Sequence, residues 1–418
     1  MHRLSQNQLT LGQSFIQLFY MAAAKQNTSN DYTPQREALL VQGGRDYFDR
    51  LLRLIHDAKH TIHLQTYIFQ HDETGQLVAT ALKAAAQRQV AVYILVDGYA
   101  SQSLPSNFVQ SLRAVGIQFR FFEPLFKSNR FYVGRRMHHK LFVADATFAL
   151  VGGVNIADHY NDLEGQPAWF DFALYVEGPL AIGLCELCSK TWNGFTTPQK
   201  VLPCGMPGEK NYPTIEKGIA VRMRRNDWVR RKSEITATFI EMFRHAKSHI
   251  IIMCSYFLPG RTIRYLLRKA AERGVSIQII TAGQSDVWVA KWAERWLYDW
   301  LLRNKIELYE YQPNVLHAKI AVCDGAWFTI GSYNINNIST YASVELNLDV
   351  NDNQLAMATE QQLREIIAKD CVQINPEAFR KNTNPFTRFL RWTAYQFIRA
   401  VFYVFTFYFK RRALKPKP

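Results

Sequence analysis

Two stretches of the chain carry the same sequence of apolar and polar positions. Lys140-Leu141-Phe142-Val143 and Lys319-Ile320-Ala321-Val322 are short apolar runs. Each ends in a turn, Asp145-Ala146 or Asp324-Gly325, and resumes as Phe148-Ala149-Leu150-Val151 or Trp327-Phe328-Thr329-Ile330. Apolar runs bounded by turn residues predict strands. Elsewhere a helical pattern over Leu77–Arg88 leads into a β-branched run from Val90 to Val96. Helix and strand alternating in this way predict α/β units. Trp288, Trp292, Trp296 and Trp300 recur every fourth residue, drifting by about 40° per step on a helix. Core packing is the default for that stripe, with an acyl-chain entrance as the alternative.

The pattern repeats. Ala58-Lys59-His60-Thr61-Ile62 opens a β-rich run ending at Tyr67, and Ala246-Lys247-Ser248-His249-Ile250 opens one ending at Tyr256. Ala85-Ala86-Gln87-Arg88-Gln89-Val90 matches Ala270-Ala271-Glu272-Arg273-Gly274-Val275. The third landmark is H-x-K-x4-D-x6-G-(G/S)-x-N. It places His138, Lys140, Asp145 and Asn155 in one copy, and His317, Lys319, Asp324 and Asn334 in the other, with His and Asn both displaced by 179 residues. Chance does not duplicate such a pattern at a fixed offset. The expected fold is therefore α/β, two similar halves packed about a pseudo-two-fold axis, followed by a C-terminal amphipathic helix. The expected divisions are an N-terminal extension at 1–34, halves at 35–205 and 206–377, and a basic aromatic tail at 378–418. The linker is expected near Pro203–Pro213, where Pro, Gly and Lys cluster.

Length and charge fit this division. A chain of 418 residues exceeds one ordinary core, so two domains are expected. Lys and Arg number 50 against 35 acids, a net +15. Ten of the positive charges follow Glu377, after which no acid occurs, so the body is not a nucleic-acid-coated surface. From Phe386 to Phe409 the chain is mostly apolar or aromatic, with Arg388, Arg391, Gln396, Arg399 and Thr406 on one helical stripe and Lys410-Arg411-Arg412 beyond. The pattern suits a helix lying in the headgroup zone of an anionic bilayer rather than spanning it. A helix docked on the body is the alternative. The run Arg222, Arg224, Arg225, Arg230, Arg231 and Lys232 reads as a solvated face, with contact to lipid phosphates as the alternative. No export signal is apparent at the N-terminus. The six cysteines are scattered and do not form a disulfide framework, and Cys185 with Cys188 reads as a buried structural pair rather than a zinc site. No metal or cofactor is expected.

His and Lys two apart on a strand share a face. Two such pairs supply what phosphodiester cleavage needs: a nucleophile, a proton for the leaving alkoxide, and positive charge around the phosphoryl oxygens. One neutral imidazole attacks phosphorus while the other, protonated, releases the alcohol; an incoming alcohol then completes ping-pong transfer.

With its doubled H-x-K-x4-D motif, the chain resembles the phospholipase D superfamily. Tyr256-Phe257-Leu258-Pro259-Gly260 and Arg268-Lys269-Ala270-Ala271 resemble bacterial cardiolipin synthases lacking N-terminal transmembrane helices. The resemblance implies a catalytic set of His138, Lys140, Asp145, His317, Lys319 and Asp324. His138 would be nucleophile and His317 acid/base, although the near symmetry leaves that order open. Lys140 and Lys319 would hold phosphoryl oxygens, with Asn155 and Asn334 as neutral donors to substrate. Asp145 and Asp324 read more as structural partners than as direct catalysts. A downstream acid orients each histidine in the family; the matching positions are Asp171, 33 residues after His138, and Glu345, 28 after His317. His139 reads as a neighbour. The implied partners are phosphatidylglycerol and an anionic phospholipid membrane on its cytoplasmic side, with no nucleic acid. Hydrolysis by a phospholipase D, a nucleic-acid phosphodiesterase and a non-enzymatic lipid binder are the competing functions.

Overall fold

The computed structural model describes residues 31–124, 135–194, 201–204, 215, 217–230, 232–341 and 343–413. After β1 (Thr33–Gln35), the first half runs β2 (Glu37–Gln42), α1 (Arg45–Asp57), β3 (Thr61–Thr66), α2 (Glu73–Gln87), β4 (Ala91–Asp97), α3 (Ser106–Ala114), β5 (Gln118–Phe122), β6 (Arg136–Met137), β7 (Lys140–Ala144), β8 (Phe148–Gly152), β9 (Phe172–Glu177) and α4 (Leu180–Asn193). The second half runs β10 (Ile219–Asp227), β11 (Lys232–Ser233), α5 (Glu234–His245), β12 (His249–Cys254), α6 (Arg261–Glu272), β13 (Ser276–Gln284), α7 (Trp288–Arg303), β14 (Glu307–Val315), β15 (Lys319–Cys323), β16 (Trp327–Gly331), α8 (Asn337–Tyr341), β17 (Ser343–Asn351), α9 (Asn353–Asp370) and β18 (Cys371–Gln373). Two helices close the chain, α10 (Pro376–Lys381) and α11 (Pro385–Ala413).

The two sheets have one topology. Strand order β2-β9-β8-β7-β3-β4-β5 in the first half is matched by β10-β17-β16-β15-β12-β13-β14 in the second. In each, three strands joined through helices are parallel and the rest antiparallel. The motif strands are buried on both faces, which is why they read as unbroken apolar runs. Leu141 and Val143 enter one core while Phe142 and Ala144 enter another, and β15 divides its side chains likewise. The first of these cores draws on both halves, including Ile251, Ile320 and Leu348. β1 belongs to neither copy of the repeat: it pairs with β10 of the second sheet, at the expected boundary between extension and first half.

The hairpins after β7 and β15 turn as expected. Asp145 and Ala146, and Asp324 and Gly325, all have φ between +49° and +59°, the left-handed pair that matches the twist of flanking strands. Each aspartate also fastens the start of the neighbouring strand. Asp145 accepts from the amides of Lys59, His60 and Thr61, and Asp324 from those of Lys247, Ser248 and His249. This explains the motif's third letter as structure.

Several expectations change on folding. The tryptophan stripe is core only in part: Ala290, Ala293, Leu297, Tyr298 and Leu301 face inward, Trp296 and Trp300 are half-buried and pack against the cores, and Trp288 is 70% exposed. A four-residue step drifts off a straight helix face, so such a stripe leaves the buried side. The basic run is not a uniformly solvated face either. Arg222 and Arg224 are buried on β10 and share Asp349 of β17; a strand inside a sheet turns alternate side chains inward whatever their charge. Arg231 lies outside the described residues, as do residues 1–30 and most of the expected linker. Cys185 is joined by a disulfide to Cys204, not paired with Cys188. The chain returns over α4, where the amide of Leu202 donates to Ser189, and so closes a gap of 19 residues.

The tail is a helix, and it is docked. Ala394, Tyr395 and Ile398 pack against Leu258, Trp296 and Leu297. Phe386, Phe389, Trp392 and Phe397 nonetheless remain exposed. Among the described residues, no helix is long and apolar enough to cross a membrane.

Candidate active site

The two motif strands begin where the halves meet, and the meeting is made by backbone. The amides of His138 and His139 both donate to the carbonyl of Val344, while those of His317 and Ala318 both donate to Phe170. The residue after each acceptor is an acid. His138 Nδ1 therefore lies 3.0 Å from Glu345, and His317 Nδ1 lies 2.6 Å from Asp171. Both carboxylates are fully buried. The pairing inferred from sequence order is thus crossed: each histidine is oriented by the acid of the other half. The different spacings of 33 and 28 residues then carry no meaning, because neither separates true partners.

With Nδ1–H donated to a carboxylate, Nε2 of each imidazole is left as the nitrogen able to take up a proton or attack an electrophile. Lys140 donates to the carbonyl of His138 at 2.5 Å, and Lys319 to that of His317. The ammonium groups are close enough to affect one another. Burial, followed by the charge of Lys319, pushes Lys140 down to about 7. Burial also lowers Lys319. Two desolvated ammonium groups facing each other form a site for an anion.

The imidazoles respond in the same sense. Burial first, then Lys319, pushes His317 down to about 3. Burial lowers His138 against the pull of Glu345. Burial opposes ionisation of Asp171, but the charges on Lys319 and His317 outweigh it and hold the carboxyl below its ordinary value. Glu345 is held low in the same way by His138 and Lys140, helped by a hydrogen bond from Ser332 at 2.5 Å. Gly153 occupies the place of Ser332 in the first copy, and a Cβ there would stand 2.4 Å from the Asp171 carboxylate oxygens.

The other expected residues distribute as follows. Asn155 Oδ1 accepts from the Ile68 amide at 3.0 Å, so its amide group is turned to donate to Tyr160. Asn334 Oδ1 accepts from Ser255 at 2.9 Å. Asp145 and Asp324 are spent on backbone amides, away from the imidazoles. His139 turns to Gln65 at 2.8 Å, as a neighbour would. Sequence reading missed the aromatic cover. Tyr67 lies 4.9 Å from the His138 ring and 5.3 Å from Lys140 Nζ. Tyr160 lies 5.1 Å from the His317 ring, with its hydroxyl 3.3 Å from Nε2. Tyr67 ended a repeat landmark and was open to discovery; Tyr160 has Ser339 at its repeat position, so comparing the copies could not find it. Among the described residues, His63, Cys185 and Cys204 form the one cluster with metal-ligand proximity, and none of them belongs to the imidazole pair.

A family model described as the phospholipase D-like domain of cardiolipin synthase matches residues 51–165 and 239–367. Cardiolipin synthase B of Escherichia coli K12 is 32% identical over 347 residues, 82% of this chain and 83% of that one. Cardiolipin synthase 1 of Bacillus cereus is 30% identical, covering 74% of this chain and 62% of that one. Of solved structures, a phosphatidylserine synthase from Haemophilus influenzae superposes with a TM-score of 0.68 over 90% of this chain and 98% of its own, at 16% identity. That last likeness concerns the fold.

Proposed function

Because the chain belongs to the cardiolipin synthase family with phospholipase D-like domains, we propose that it transfers a phosphatidyl group between two phosphatidylglycerol molecules, giving cardiolipin and glycerol. The crossed His–acid pairs support this reading most: each imidazole has Nδ1 held and Nε2 available, beside two lysines. Nε2 of His138 attacks phosphorus and forms a phosphohistidine. His317, protonated on Nε2 once the anionic phosphodiester sits beside it, gives that proton to the departing glycerol oxygen. The primary hydroxyl of a second phosphatidylglycerol then returns a proton to His317 Nε2, its oxygen bonds phosphorus, and the P–N bond breaks with its electron pair left on His138. Lys140 and Lys319 neutralise the phosphoryl oxygens throughout. All of this is done by the chain's own side chains.

His138 is taken as nucleophile because its side chain is 18% exposed against 9% for His317, and because among the described residues no hydroxyl is placed on its Nε2 as Tyr160 is on that of His317. The exposed aromatic residues of α11, interspersed with Arg388 and Arg399, suit peripheral attachment to an anionic bilayer on its cytoplasmic side. The test is incubation of the full chain with phosphatidylglycerol labelled in its phosphatidyl part. Cardiolipin with equimolar glycerol supports the reading, phosphatidic acid makes the enzyme a hydrolase, and unchanged lipid refutes both.

A further inference from the structure

The repeat also breaks beside the motif histidines at a position that carries a carboxylate in the second half only. Counting from Val90 and Val275, Ser101 of the first half corresponds to Asp286 of the second. Ser101 is buried and used internally: its hydroxyl accepts from the Phe69 amide and donates to the Tyr67 carbonyl, both at 3.0 Å. Asp286 instead lies exposed at the start of α7 and accepts the hydroxyl of Tyr256. Tyr256 is the repeat counterpart of Tyr67, but it does not cover an imidazole as Tyr67 does. Tyr160 has that place over His317, and Tyr256 is turned to the carboxylate. The strand position two residues before Tyr256, Cys254, pairs with Lys319, so the Tyr256–Asp286 pair leaves the sheet beside the second motif. The charge of Asp286 reaches Lys319, Tyr160 and His159.

An exposed carboxylate so near a phosphate-binding lysine repels phosphate. It suits a group that donates hydrogen bonds, and the alcohol side of the proposed reaction carries such a group next to the reacting oxygen. A carboxylate with one oxygen fixed by a phenol still offers acceptor positions for adjacent hydroxyls. We propose that Asp286, held by Tyr256, is the headgroup-binding residue on the His317 side, taking the vicinal diol of a glycerol moiety. This rests on the transfer reaction above and gives it a specificity element. The Tyr160 hydroxyl on His317 Nε2 marks where the reacting hydroxyl of the same glycerol is deprotonated.

The test is competition among acceptors. Full-length protein and unlabelled phosphatidylglycerol are offered glycerol, 1-propanol and ethanolamine at equal concentration, each acceptor carrying its own label, and the label entering the lipid fraction is counted for each. Wild-type protein is expected to favour glycerol over 1-propanol, and Asp286→Asn to cut that ratio about tenfold, the worth of one charge-assisted hydrogen bond. Tyr256→Phe should lower the same ratio by less. A glycerol ratio unchanged within about twofold in Asp286→Asn, or a loss confined to ethanolamine, overturns the proposal; the latter would make the ligand an ammonium group. Wild-type protein that transfers to no acceptor fails the functional reading itself, a distinct result.

Discussion

The two half-sites share a plan and differ in their surroundings. His138 faces Glu345, which takes a hydroxyl from Ser332, under the ring of Tyr67. His317 faces the shorter Asp171, which has Gly153 in place of that serine and takes its extra hydrogen bond from the Phe172 amide at 2.8 Å. Length and neighbour compensate: a long acid stands beside a serine and a short one beside a glycine that leaves it room. The duplicated unit has thus kept the imidazole and ammonium identical while the supporting shell diverged. The proposed transfer asks two different roles of like groups at one phosphorus, and roles are tuned by surroundings.

Removing either imidazole should erase the comparison altogether. His138→Ala and His317→Ala are each expected to lower the rate of label transfer at least about a thousandfold; near-normal turnover by either would contradict a shared site. Gly153→Ala comes next. Its methyl would displace Asp171 from His317, and a misplacement of about 1 Å costs on the order of a hundredfold in kcat. Ser332→Ala, the counterpart change, creates space instead of a clash, so its loss should stay within about tenfold. Equal effects from these two would show that the shells do not differ in the way described.

Acid should act mainly through the imidazoles. His317 is held near about 3 when folded, against about 6.5 when unfolded. Its folded value is depressed, so its contribution to stability is full above pH 6.5 and declines as pH falls toward the folded value. Between pH 6 and 4 the expected slope is on the order of 1 kcal/mol per pH unit, read from urea midpoints, and His317→Gln should flatten it. Asp171 acts in the same direction but lower, below the ordinary carboxylate value, because its folded pKa is also lowered. The smallest signal is a proton count. With Lys140 near about 7, an anion between the lysines restores its charge, so tungstate added at pH 7.5 in weak buffer should cause proton uptake. Proton release would reverse the sign assigned to this site.

Much of this was legible in the chain, and the omissions have reasons. The strands, the hairpin turns and the four His and Lys side chains of the candidate site follow from a pattern repeated at fixed offset, since like sequence folds alike. Periodicity misjudged Trp288 of α7, because a four-residue step drifts off a helix face, and Arg222 and Arg224, because charge alone does not report which way a strand turns a side chain. Cys185 and Cys204 meet only after the chain folds back over α4.

The chain's order of residues determined that two like units exist, which side chains they carry to the candidate site, and that the tail is basic, aromatic and helical. Folding decided which acid serves which histidine, that Tyr160 covers His317, and that Asp286 is left facing outward. The first two are relations between segments more than a hundred residues apart. They are set by two backbone hydrogen bonds at each junction and by packing across the halves, and neither spacing nor composition encodes contacts made between separate units.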